Sequence, residues 1–456
     1  MKTHKHFSLF TFHFSLFFLL TGIASAKQVT GPTAWEIVNT NAVKAWQVSQ
    51  EAKTSATIRV WSGVVADMDR REVRLLVEAV GHNEDSPMEF LIVGPRSDRA
   101  YEAVTVSVAK PSDIVRAMES IGIPRGDGVN GRLFRFWPYG EKIEGTIRKA
   151  TEKIESARPL QSMIKDPKSE APLFGAGGLV FTGGSWQEGV CDADTQQPSS
   201  VIALYNEPDT LFDVPFIASK GAAYGRSVLA AKMDYGEVME VVLKLMPLPG
   251  GGVRAMTLYV TAEPSANQET MFICADQKGE VLKKGALKDV LTWMKTLSDR
   301  GHDLFVTLTM SDDLTLTQAV AVSYVFMLLD GKGLKLYGKT KEGIYPRAFL
   351  PQGEWRKRDG RTPQPFEVHL AGDAKKLTYI EEDWSGEGLD PKLTAKDYPF
   401  TDVSELPALV KRVGDKSSKK VEMLFIFASG NEPLKKIMPA VRVLSERLPL
   451  VYIFGE

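Results

Sequence analysis

The tightest constraint on the fold lies in the last third of the chain, where one succession of elements is written twice. Phe305 to Gly338 reads as strand, Ser-Asp-Asp turn, helix, short loop and strand; Met423 to Gly455 reads as strand, Ser-Gly-Asn turn, helix, short loop and strand. An amphipathic helix precedes each unit. Leu287, Val290, Leu291, Met294 and Leu297 recur at three- and four-residue steps in one, and Leu406, Leu409, Val410 and Val413 in the other, so each set falls on one buried stripe. The late helix carrying Leu434, Ile437, Met438, Val441 and Leu444 keeps the same stepping. Helix, strand, helix, strand, with an earlier strand at Glu269 to Ala275 or Lys376 to Glu382, implies helices packed on a small sheet. Two small α/β sandwich modules that look like a diverged repeat are therefore expected, over 246–372 and 373–456, the first opening at the Pro-Gly-Gly-Gly loop after Met246.

The other end of the chain points to export. Lys2 and Lys5 give a positive start, Phe7 to Ile23 is dominated by Phe and Leu, and Ala24-Ser25-Ala26 fits the small-x-small cleavage rule, so 1–26 is expected to be a signal peptide and Lys27 the mature start. The apolar run is short and interrupted by Thr11, His13 and Ser15, which disfavours a retained transmembrane helix, and no later run is long and apolar enough to span a bilayer. The expected location is exported, periplasmic or secreted, with no integral membrane span after cleavage. Loss of Lys2 and Lys5 moves the formal net charge from −1 to −3. That balance favours neither nucleic acid nor a membrane surface as partner.

Between these ends the chain is β-rich. Thr57 to Ala66 and Glu72 to Val80 flank a turn-like Asp67-Met68-Asp69-Arg70 and predict a hairpin; Met88 to Val93 and Tyr101 to Val108 predict two more strands. Pro111-Ser112-Asp113 opens a helix that Ser112 or Asp113 can cap, with Ile114, Ala117, Met118 and Ile121 on one face and Gly122 placed to end it. The run EFLIVGPRSDRAYEAVTVSVAKPSDIVRAMESIGIPRG, from Glu89 to Gly126, resembles the YdjY-like domain family, and GLVFTGGSWQEGVCDADTQQPSSVIALYNEPDTLFDVP resembles its strand-rich end. The resemblance covers about 57–215. Val115 stands where that family often has His, and the chain has two cysteines where a cysteine-ligated iron–sulfur cluster takes four. Both departures weaken a metal or redox role for this chain. In the C-terminal part, FIFASGNEPLKKIMPAVRVLSERLPLVYIF resembles the periplasmic domain of ExbD-type transport proteins, without that family's membrane helix and its Asp. The expected class is α+β: a β-rich YdjY-like domain over 27–245, with 155–172 as a surface loop, followed by the two α/β modules.

Few residues promise chemistry. Cys191 and Cys274 fall in different expected domains and are expected to be unpaired. His82, His302 and His369 are too scattered for a His-x-His or Glu-x-x-His metal site. Gly175, Gly177 and Gly178 precede a β-rich run, whereas a phosphate cradle needs a helix start. Asp192 and Asp194 give too few oxygens for Ca²⁺ and read as a polar turn. Glu381, Glu382 and Asp383, beside Trp384, read as the solvated end of a strand. Trp355, Arg356, Lys357, Arg358 and Arg361 form the one basic and aromatic cluster, suited to an anionic glycan or an acidic protein surface. No catalytic constellation, metal or cofactor is expected. The functional expectation is a non-catalytic exported envelope protein that binds or scaffolds, its partner another envelope protein or an anionic glycan surface and not nucleic acid. A hydrolase assembled from distant residues and a metal or cofactor carrier are the alternatives.

Overall fold

The computed structural model describes residues 31 and 34–456, except 134, 174–176, 219–225, 250, 268, 339–347, 352–365, 371–374, 384, 386–391, 416–422, 446–449 and 456. It is mixed α/β, richer in strand than in helix, and built on several sheets. The first part runs α1 (Thr40–Glu51), β1 (Ile58–Trp61), β2 (Val64–Asp67), β3 (Glu72–Ala79), β4 (Phe90–Val93), β5 (Ala103–Ser107), α2 (Pro111–Ser120), β6 (Glu141–Lys149), β7 (Leu179–Phe181), β8 (Ser200–Ala203), β9 (Phe212–Asp213) and β10 (Val238–Leu245). Eight of these strands close a ring in the order β3-β10-β6-β7-β9-β8-β4-β5, and β5 returns to pair with β3 through Val77↔Ser107 to Ala79↔Thr105. Closure removes the free edges that a sheet of this size otherwise exposes. Side chains alternate across it: Val73, Leu75, Val77 and Ala79 of β3 share a buried core with Met239, Val241 and Leu243 of β10, Ile143 and Ile147 of β6, and Ile114, Val115, Ala117 and Met118 of α2.

Three local expectations change here. The run from Thr57 to Ala66 is two strands, because the chain reverses at Gly63, whose φ is +74° and where a Cβ would lie 2.7 Å from the Ala109 nitrogen. Helix α2 starts at Pro111 without a side-chain cap from Ser112 or Asp113; instead the Ser112 N–H donates to Asp194 Oδ1 at 2.9 Å, so the free amide is satisfied from a distant segment. Within 155–172, expected to be a surface loop, Arg158–Pro159 pairs with β6, and Leu160, Met163 and Ile164 are buried in the barrel core.

The outer faces of β3 and β10 are covered by the segment from Trp35 through α1. Glu78, on the outward side of β3 and wholly buried, accepts hydrogen bonds from Trp35 Nε1 (3.1 Å), Val38 N (2.8 Å) and Asn39 N (2.7 Å). In the middle of α1, Trp46 donates Nε1–H to Glu240 Oε2 at 2.9 Å and packs on Val65, Leu76 and Val238. Two outward carboxylates of neighbouring strands thus hold one strap.

The second sheet comprises β11 (Ala255–Pro264), β12 (Thr270–Ala275), β13 (Val281–Ala286), β14 (Asp303–Met310) and β15 (Lys335–Leu336), with α3 (Leu287–Asp299) and α4 (Leu316–Leu329). Its strand order is β13-β12-β11-β14-β15. The third comprises β16 (Phe349–Pro351), β17 (Phe366–His369), β18 (Lys376–Asp383), β19 (Lys392–Pro399), β20 (Met423–Ala428) and β21 (Leu450–Gly455), with α5 (Leu406–Gly414) and α6 (Leu434–Ser445), in the order β16-β21-β20-β17-β18-β19. Setting β16 aside, both follow three antiparallel strands, helix, strand, helix, strand, with the last two strands added parallel to the first. The element order common to the two sheets is therefore longer than helix-strand-helix-strand, and the third sheet draws strands from both sides of residue 373. The two sheets share one hydrophobic core. Their strand-to-helix turns also pair: Leu316 N donates to Glu432 O at 2.9 Å, and Leu434 N to Leu314 O at 2.8 Å. Helix α4 carries no charged residue and contacts β15 of its own sheet as well as β16 and β21 of the third, while Ala321, Tyr324 and Leu328 stay exposed on its outer face.

Candidate functional site

A cleft of about 330 Å³ opens where the barrel meets the second sheet. Strand alternation sets its chemistry. On β6, Ile143 points into the barrel, so its neighbour Lys142 points out of it. On β14, Asp303 and Phe305 share a face, and the parallel register sets Lys335 of β15 beside Phe305. The Lys335 ammonium lies 4.7 Å from the Phe305 ring centre and 5.7 Å from that of Trp137, which the barrel contributes. Lys142 Nζ is 3.1 Å from Asp303 Oδ2 and Lys335 Nζ is 3.4 Å from Asp303 Oδ1, with each of the three side chains less than one-fifth exposed. Two ammonium groups therefore share one carboxylate, leaving one positive charge in a half-dry space. Burial pushes the Lys335 pKa below its ordinary value; Asp303 opposes that shift and Lys142 adds to it.

The walls are held by the seam between barrel and sheet. Trp137 Nε1 donates to Asp330 Oδ1 at 2.8 Å, which also accepts from Leu336 N at 2.9 Å. Both oxygens of Glu141 accept from Arg254 N, at 3.0 and 3.1 Å, and Tyr337 donates its hydroxyl to Asp127 at 2.7 Å, beside the Arg135–Asp127 ion pair. Tyr139, Phe305 and Tyr337 stack edge to face and tilted next to it. These bonds fix the two lysines relative to each other although they come from different sheets. Such an arrangement can hold a carboxylate or phosphate by charge-assisted hydrogen bonds.

Of His82, His302 and His369, His302 lines this cleft, with Nδ1 3.2 Å from Val253 O. His82 is buried in the barrel, and His369 stacks on Phe427 at 5.0 Å, so the structure does not bring the three together. Cys191 and Cys274 are free and lie in separate cores, and burial pushes both thiols up to about 11. Asp192 accepts from Ser185 and Gln187, and Asp194 from the start of α2, so both are spent on local structure. Gly177 and Gly178 precede β7, while Gly175 lies outside the described residues. Glu381 at the end of β18 pairs with Lys396 across to β19. Trp355, Arg356, Lys357, Arg358 and Arg361 all lie outside the described residues. Among the described residues, no three His, Cys, Asp or Glu side chains are grouped to hold a metal, and no helix is long and apolar enough to cross a membrane. Lys142, Asp303 and Lys335 carry no sequence signal: each is a single charge at a strand, and chain neighbours say nothing of their meeting.

The chain matches no family model and no curated protein. Among solved structures it is similar to a Bacteroides thetaiotaomicron VPI-5482 protein of actin-like ATPase fold and unknown function, at 10% identity over 44% of this chain and 91% of that one, with a TM-score of 0.15. A likeness at that score carries no argument about fold or activity.

Proposed function

We propose that the protein is an exported, non-catalytic binding protein of the cell envelope, and that the cleft between barrel and second sheet takes a small carboxylate or phosphate. The observation that carries the reading is the Lys142–Asp303–Lys335 triad, with two cations to one anion at the mouth of a preformed cleft. Export rests on the Lys2-to-Ala26 pattern, and the YdjY-like assignment of 57–215 on the run from Glu89 to Gly126. The ExbD-type likeness rests on Phe425 to Phe454. The repeated order of strands and helices supports reading the second and third sheets as a duplicated unit. The basic run from Trp355 to Arg361 is proposed, on its composition, as the surface for an envelope protein or anionic glycan.

The test is a thermal-shift titration of the mature protein with inorganic phosphate and with acetate, alongside the Lys142→Met/Lys335→Met double variant. A ligand that binds the native state raises Tm with its concentration. A rise in the parent protein that the variant loses supports the reading; equal curves for both proteins overturn it.

A further inference from the structure

The anion cleft does not end at its lysines. Beside it lies a second hollow of about 450 Å³, between α3 and the turn that joins α4 to β15. Both hollows are lined by Ser298, Gly333 and Leu334, so they adjoin across a common rim. The second is mainly apolar, its floor made by Leu291, Met294, Leu329 and Leu334. Its charged groups stand at the margin: Lys295 is neutralised by Asp299 four residues on, at 2.7 Å, and Lys332 is exposed. Taken together, the two hollows offer a cationic end and an apolar trough, with four lysines against two aspartates along the whole path.

We propose that the ligand is a single-chain amphiphilic carboxylate, its head between Lys142 and Lys335 and its acyl chain laid in the trough toward Leu291 and Leu329. This rests on the anion reading of the cleft and adds to it the class of the tail. Charge decides the orientation: the Lys142–Asp303–Lys335 group has an unbalanced cation for the head, and the trough has apolar side chains where a small hydrophilic anion would leave water against hydrocarbon. Size agrees, since hollows of this volume suit ligands of drug-like dimensions. A bare phosphate or acetate occupies only part of the first hollow and leaves the second empty.

The experiment is calorimetric titration of the full mature protein with acetate, hexanoate and decanoate, and with decanol and decyltrimethylammonium, kept below their aggregation concentrations. Each methylene that leaves water contributes, and with the trough open on one side about half of that gain is expected, so decanoate should bind roughly 100-fold more tightly than acetate. Decanol and the cationic amphiphile should bind at least about tenfold more weakly than decanoate, for want of the charged head or for its wrong sign. Lys335→Met should weaken acetate and decanoate alike, whereas Leu291→Glu should collapse the decanoate-to-acetate ratio. If acetate and decanoate bind equally, the tail assignment falls and the anion reading stands. If decanol matches decanoate, the trough is a plain apolar site and the proposal falls. If none of the carboxylates binds, both readings fall together.

Discussion

Glu78→Ala tests how the N-terminal strap is held. In the parent protein the wholly buried carboxylate accepts from one indole and two backbone amides, Trp35 Nε1, Val38 N and Asn39 N, at 3.1, 2.8 and 2.7 Å. Truncation to a methyl leaves those donors without an acceptor. Each buried donor so stranded costs roughly 1–3 kcal/mol, and the strap can recover part of that by fraying into water, which leaves a net loss of about 3 kcal/mol. Glu78→Gln keeps one carbonyl oxygen in place and should lose about half as much. The assay is urea unfolding followed by tryptophan fluorescence, together with hydrogen exchange at the Val38 and Asn39 amides. Those amides should exchange far faster in Glu78→Ala, while amides of β3 and β10 keep their protection. A loss below about 0.5 kcal/mol with Val38 and Asn39 still protected would refute the claim that this carboxylate holds the strap.

Four further outcomes follow from burial and charge. Asp213 is wholly buried, and burial raises its pKa well above 3.8 although Asn206 Nδ2 and Val214 N both donate to Oδ1. A raised carboxyl contributes stability that is present below the unfolded pKa and lost as pH rises, so Asp213→Asn should melt higher than the parent at neutral pH, with the gap closing below about pH 4; a pH series of melting curves checks this. Burial lowers the His82 pKa from 6.5, outweighing acceptors at Ala100 and Ala103, so the protein should lose stability as pH falls through that value; the slope from about pH 7 to about pH 5 should flatten in His82→Asn. Gly63→Ala forces a side chain into the left-handed region against Ala109 and should cost about 2 kcal/mol in urea unfolding. Lys335→Met leaves Lys142 and Asp303 as a balanced pair and removes a buried charge, so Tm should hold or rise; a fall above about 5 °C would mean the ammonium braces the seam.

The sequence carried the parts of the fold that local pattern encodes. Helices α3, α5 and α6 and strands β14 and β20 are legible because one apolar stripe or one short apolar run defines each, and α4 because a charge-free run follows the Ser-Asp-Asp turn. The lead strands of the two later sheets were harder. Strands β13 and β19 contain Lys283, Lys284, Lys392 and Lys396 and sit at sheet edges, where charge guards against stray pairing and hides the strand pattern. Barrel closure was illegible because it depends on β5 returning to β3, a choice made by packing and not by either strand alone. The candidate site was illegible for the same reason. Lys142 lies on the barrel, and Asp303 and Lys335 lie on two strands of another sheet; His302 stands alone in the sequence, and nothing there sets it beside them.

Whether the pair of lysines at the barrel–sheet junction receives an anion is read directly from crystals of the protein soaked in bromide. A strong anomalous peak is expected in the cleft, within about 3.5 Å of both Lys142 Nζ and Lys335 Nζ, and is expected to be absent in Lys335→Met crystals. Bromide found on other surface cations, with the cleft empty in the parent protein, would contradict it.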